Sequence, residues 1–168
     1  MKNLIALFIS VLFLVSCGNS KTENEKDSNK NENQINSEKK ENIIDIKTII
    51  GKTENEIEKI LGKAENSEKV SPSNTPCKEN PCEKKFYQKN KFEIVFIDGK
   101  SDWITINNVS NFDFNSENIT LLGLASTMAK YENDMSIAWN DIENINELTF
   151  FNNGENKIDY IYIKAFTK

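Results

Sequence analysis

From Gly18 to Asn42 the chain reads GNSKTENEKDSNKNENQINSEKKEN, a polar and charged stretch with one apolar residue, Ile35. Such a segment cannot bury enough surface to offset the entropy of ordering it. Any packed structure must therefore lie beyond it. Apolar residues become frequent from about Ile43, leaving roughly 126 residues, enough for one domain with its own core. As a coil of about 25 residues, the polar stretch spans roughly 25–30 Å on average and reads as a tether.

Ahead of the tether, Met1-Lys2-Asn3 leads into an apolar run from Leu4 to Val15. A charged start before a short apolar stretch has the layout of a secretory signal peptide. About 12 residues as a helix cover roughly 18 Å, short of the about 20 residues a membrane span needs. The run ends Leu14-Val15-Ser16-Cys17-Gly18. This resembles the lipobox of bacterial lipoproteins, in which a small residue precedes a Cys that is acylated and becomes the new N-terminus. The alternative is an ordinary cleaved signal that contains a cysteine. The resemblance implies residues 1–16 as a lipoprotein signal peptide, a lipidated Cys17 with the tether over 17–42, and a folded part over 43–168. It also implies a bacterial envelope location, anchored by lipid on the outer membrane. Charged residues soon after a lipid-bearing Cys serve as an export signal in some bacteria, the other use of the tether.

Removing residues 1–16 removes Lys2 and takes the formal net charge from -5 to -6. An acidic product lacks the basic footprint that nucleic acid requires. The chain has no Arg and no His. Without Arg there is no planar bidentate clamp for phosphate, and without His there is no Ser-His-Asp or Cys-His catalysis and no His-ligated zinc. Gly51-Lys52-Thr53 imitates part of a phosphate loop, but that motif needs Gly where the chain has Ile46. Glu54, Glu56 and Glu58 read as a solvated helix face. No catalytic residue, metal ligand or cofactor is expected.

Within 43–168, Thr53 and Glu56 form a capping box. Ile57, Ile60 and Leu61 form an apolar stripe, and Gly62 stands where a left-handed residue ends a helix. Lys84–Tyr87, Phe92–Ile97 and Trp103–Ile106 read as strands, the last two joined by Asp98-Gly99, which suits the positive φ of a hairpin turn. Ser116–Leu122 before Gly123 then parallels the first helix. Ser136–Trp139 reads as a strand, and Leu148–Phe151 and Ile158–Ile163 flank Asn153-Gly154 as a second hairpin. The expected architecture is α+β: two repeats, about 43–108 and 112–168, each a short helix followed by antiparallel meander strands. They form one sheet with helices packed on one face, and Phe96 and Phe151 hold equivalent places before the two turns.

The run Gly51 to Gly62 resembles the helix signature of the SmpA/OmlA (BamE-like) outer-membrane lipoproteins, with Gly51, Thr53, Ile57, Leu61 and Gly62 at the signature places. The family has Pro two residues after the Leu-Gly pair, where this chain has Ala64. Two such units in tandem resemble the β-lactamase-inhibitor protein fold, whose sheet binds protein. The resemblance implies a non-enzymatic protein-interaction module of the envelope, in outer-membrane assembly or maintenance. The alternative is an inhibitor of a protein or a sensor of a small ligand. The implied partners are the membrane, through the lipid, and an envelope protein. Trp103, Trp139, Tyr160 and Tyr162 are the aromatics that could anchor such a partner, since Trp and Tyr dominate interface energetics; at strand spacing they also suit a core. Cys77 and Cys82 remain. In an oxidising compartment they read as a structural disulfide, with free thiols or redox and metal chemistry as the other readings.

Overall fold

The computed structural model describes residues 41–71, Cys77 and 81–167. The expected signal peptide, Cys17 and the expected tether up to residue 40 lie outside the described residues. The described chain forms one antiparallel sheet of eight strands in the order β1-β2-β3-β4-β8-β7-β6-β5. The first meander comprises β1 (Asn66–Lys69), β2 (Glu83–Tyr87), β3 (Phe92–Ile97) and β4 (Lys100–Ile106). The second comprises β5 (Tyr131–Glu132), β6 (Ser136–Ile142), β7 (Ile145–Asn152) and β8 (Ile158–Lys164). Strands β4 and β8 join the two, pairing Ile104 with Ile163 and Ile106 with Ile161.

Helix is sparse. The α-helix α1 runs over Glu54–Leu61, and 3-10 turns occupy Ile46–Thr48 and Ser116–Leu122. At the start of α1, the backbone N–H and hydroxyl of Thr53 both donate to Glu56 Oε2, at 2.9 and 2.8 Å. Ile57 and Leu61 are buried, whereas Ile60 is 45% exposed, so the apolar stripe is narrower than its spacing suggests.

Alternation dictates the main core. Phe92, Ile94 and Phe96 of β3, Ile104 and Ile106 of β4, Ile161 and Ile163 of β8, and Leu148 and Phe150 of β7 fall on one face. They cluster with Ile57, Leu61, Ile119 and Leu122. The segment before α1 is tied to β4: Gly51 N–H donates to Ser101 O at 2.9 Å, and Ser101 N–H to Lys52 O at 2.8 Å. Buried Ser101 also donates its hydroxyl to Ile49 O and accepts from Lys52 N–H.

The expected architecture of two helix-then-meander repeats, with helices packed on the sheet, is overturned. The sheet carries the fold, and Ser116–Leu122 is not a second copy of α1. Its Asn115 side chain accepts from Asn118 N–H, its Thr120 hydroxyl donates to Glu117 O, and Gly123 N–H donates to Thr120 O. The backbone bonds from Gly123 N–H to Thr120 O and from Asn118 N–H to Asn115 O span three residues, the bonding of a 3-10 turn. Buried Asn118 also donates its side chain to Asp113 O, which ties the turn to the preceding loop. The two glycine stops differ as well: Gly123 is left-handed at φ 70, ψ 17, whereas Gly62 has φ 88, ψ 179. Phe96 is buried in the core, while Phe151 lies on the other face, stacked on Tyr160.

Candidate functional site

The face opposite the core is built by the same alternation. Cross-strand register places Phe86, Glu93, Thr105, Tyr162, Thr149 and Ala138 in one row across β2, β3, β4, β8, β7 and β6. Beside it runs a second row: Glu68, Lys84, Val95, Trp103, Lys164, Glu147 and Asn140. A third sets Tyr160 against Phe151 and Phe151 against Ser136. Phe86, Trp103, Phe151, Tyr160 and Tyr162 are all half-buried. Phe151 and Tyr160 stack with centroids 4.5 Å apart and ring planes 18° apart.

The charges among these aromatics are paired in place, with two lysines shared by three glutamates. Lys84 Nζ lies 3.0 Å from Glu68 and 3.2 Å from Glu93, and Lys164 Nζ lies 3.4 Å from Glu147. Partial burial pulls the Lys84 ammonium down, but hydrogen bonds with Glu68 and Glu93 outweigh it and hold the group above its ordinary value. Asn107 Nδ2 donates to Glu93 Oε1 at 2.9 Å. Burial, with Glu147 and Asp102 nearby, pushes the Tyr162 hydroxyl up to about 12, so it stays protonated at neutral pH.

One end of this face carries a small second cluster. Cys77 and Cys82 sit at disulfide-bonding distance, their Cα atoms 5.1 Å apart. Both are buried against Val95, with Val70, Ile97 and Trp103 packed around them. The Trp103 indole N–H donates to the Thr167 hydroxyl. Asp102 receives the backbone N–H of Phe166 at 3.0 Å, and so holds the end of β8 against β4.

No protein-family model matches this chain, and neither a curated protein nor a solved structure does.

The structure divides the four aromatics proposed as partner anchors. Trp103, Tyr160 and Tyr162 share the open face. Trp139 does not: it is 1% exposed in the core, edge-on to Phe150 at 5.0 Å, with its indole N–H donating to Thr127 O. The reason is register, since Trp139 pairs with Leu148, a core-facing residue of β7. Sequence reasoning missed Phe86 and Phe151, which complete the open face. Their signal was positional, two residues from Lys84 and opposite Tyr160 respectively. Cys17 lies outside the described residues. Among the described residues no group of His, Cys, Asp or Glu is placed to hold a metal ion, and no helix is long and apolar enough to cross a membrane.

Proposed function

We infer that this chain is an outer-membrane lipoprotein of the bacterial envelope, anchored through Cys17, whose sheet domain is a non-enzymatic docking module for another envelope protein. The observation that carries the docking role is the open face, with five half-buried aromatics ordered by strand register and interleaved with paired charges. Aromatic side chains supply much of the energy at protein interfaces, and the charged side chains interleaved among them keep such a face soluble. The lipobox-like Leu14–Gly18 and the BamE-like Gly51–Gly62 signature support the address and a role in outer-membrane assembly or maintenance.

Two experiments test the reading. Cys17→Ala releases the protein to the soluble fraction or leaves uncleaved precursor; unchanged membrane fractionation with a lipid-free mature N-terminus refutes the anchor. A photo-crosslinking amino acid replacing Tyr160 captures a discrete envelope protein in native membranes, whereas the same group at exposed Lys59, on α1, does not. Equal capture from both positions, or none from Tyr160, refutes docking through the open face.

A further inference from the structure

The open face is not flat throughout. A pocket of about 200 Å³ opens where β3, β4 and β8 meet the segment that follows β1. Val95, Trp103, Thr105 and Tyr162 line it, and Val70 closes one side. The Lys84–Glu93 pair forms the rim.

Three properties define what it accepts. The first is size. An apolar cavity of about 150 Å³ already takes a benzene ring, whereas sites for drug-sized ligands start near 300 Å³. This pocket therefore fits one ring or one branched aliphatic group. The second is charge. Lys84 bridges Glu68 and Glu93, so the rim's cation is already taken and the three groups together carry one net negative charge. An anionic group entering would lose hydration with no free cation to receive it, a costly transfer. The third is rigidity. Val70, Val95 and Trp103, which line the pocket, also pack against the Cys77–Cys82 pair.

We propose that this pocket receives a single apolar or aromatic side chain, Leu to Phe in size, as the anchor of a protein partner docked on the open face, and that the Cys77–Cys82 bond holds the pocket in shape. This rests on the open face being a docking surface. An apolar knob among Val70, Val95 and Trp103, ringed by paired side chains, is the arrangement in which central anchors carry interface energy while the rim excludes water. The β-branched Thr105 stands at the middle of the pocket's strand row, between Glu93 and Tyr162. A large side chain there fills the socket from within.

The test uses the folded, isotope-labelled domain and three neutral or charged probes followed by NMR: N-acetyl-phenylalaninamide, N-acetyl-aspartate amide and methyl N-acetyl-β-glucosaminide. The phenylalanine probe shifts the Val95, Thr105 and Tyr162 amides and the Trp103 indole N–H saturably, and the aspartate probe does not. Thr105→Trp weakens that binding at least about tenfold, and Tyr162→Ala repeats the loss should the first variant fold poorly. Reduction of the disulfide with a dithiol weakens it too. No saturable shift at these residues, or tighter binding of the saccharide, overturns the proposal. Binding unchanged by reduction overturns the role given to the disulfide. In native membranes, Thr105→Trp also lowers crosslinking from position 160 at least about tenfold. Undiminished capture overturns the pocket while leaving the docking face intact, and absence of capture from the unmodified pocket overturns the docking face itself.

Discussion

Tyr87 closes β2 with its side chain fully buried, and its hydroxyl has no hydrogen-bond partner among the described residues. A buried polar group left unpaired costs about 1–3 kcal/mol. Tyr87→Phe keeps the ring and removes the hydroxyl, so it should stabilise the domain by about 1 kcal/mol at neutral pH, or about 3–5 °C in Tm for a domain of this size. The pH dependence sharpens the test. Burial first, then the nearby carboxylates Glu54, Glu58 and Glu83, push the Tyr87 hydroxyl from 10.0 up to about 12. Its folded pKa is raised, so the folded state keeps a proton that the unfolded chain loses. That contribution is fully present below pH 10 and is lost as pH rises toward 12. Each tenfold gain in proton affinity is worth about 1.4 kcal/mol, so about 2–3 kcal/mol is at stake, and the phenylalanine variant has none of it to lose. Urea denaturation of both proteins from pH 7 to pH 11 measures the difference directly, because every other titrating group is common to both. The variant's advantage should widen steadily above pH 10. A variant less stable at pH 7 would show that the hydroxyl is bonded, and a difference that stays flat with pH would show that Tyr87 titrates normally.

Leu122→Ala and Leu61→Ala each delete a buried leucine of the main core and should cost about 2–5 kcal/mol by chemical denaturation, a large part of the about 5–15 kcal/mol a domain has. A cost under about 1 kcal/mol would contradict their burial. Lys89 is one of three consecutive left-handed residues between β2 and β3, at φ 56, and Lys89→Gly keeps its backbone N–H bonds to the Glu65 carboxylate. Relief of about 1–2 kcal/mol of left-handed strain against about 0.5–1 kcal/mol of glycine entropy should leave a small net stabilisation, seen as a higher urea midpoint. The backbone and side-chain hydrogen bonds from Thr53 hold the Glu56 carboxyl below its ordinary 4.5. That contribution is present above pH 4.5 and is lost as pH falls. Glu56→Gln should therefore flatten the acid side of the thermal-stability profile, and an unaltered profile would remove Glu56 from the account of acid sensitivity.

Elements whose pattern is carried by their own residues were legible. β3 runs over Phe92–Ile97 as its apolar residues indicate, and the Asp98-Gly99 turn has positive φ at both residues. Two strands were not. β1 has the sequence NSEK with every residue exposed, so no apolar period announces it; it exists because β2 offers a free edge to Asn66–Lys69. β5 is two exposed residues, fixed by the pairing of Tyr131 with Ala138. The turns Gln88-Lys89-Asn90 and Glu143-Asn144 adopt positive φ without glycine. Their residue types are too common in this chain to mark turns, so strand ends could not be placed. The expected duplication rests on two glycine stops and two glycine turns, which are local signals. Helix type depends on more: three-residue bonding and buried Asn118 make Ser116–Leu122 a 3-10 turn.

The candidate site shows why a face is harder to read than a strand. Alternation tells which residues share a face, but not which face will be covered. In β3, Phe92, Ile94 and Phe96 alternate with Glu93, Val95 and Ile97, so both sides are apolar enough for a core. What decides is the rest of the chain: Ile57, Leu61, Ile119 and Leu122 cluster with the first set, while among the described residues the cysteine pair, Val70 and Trp103 pack on the second. The same logic separates the tryptophans. Trp103 and Trp139 look alike in sequence, yet Trp139 pairs with core-facing Leu148 and Trp103 with Val95 of the opposite face. A protein partner anchored on that second face would finish the covering that the disulfide cluster begins at one end. On that reading the apolar character of Val95 and Ile97, surplus to the main core, would support the surface on which the partner docks.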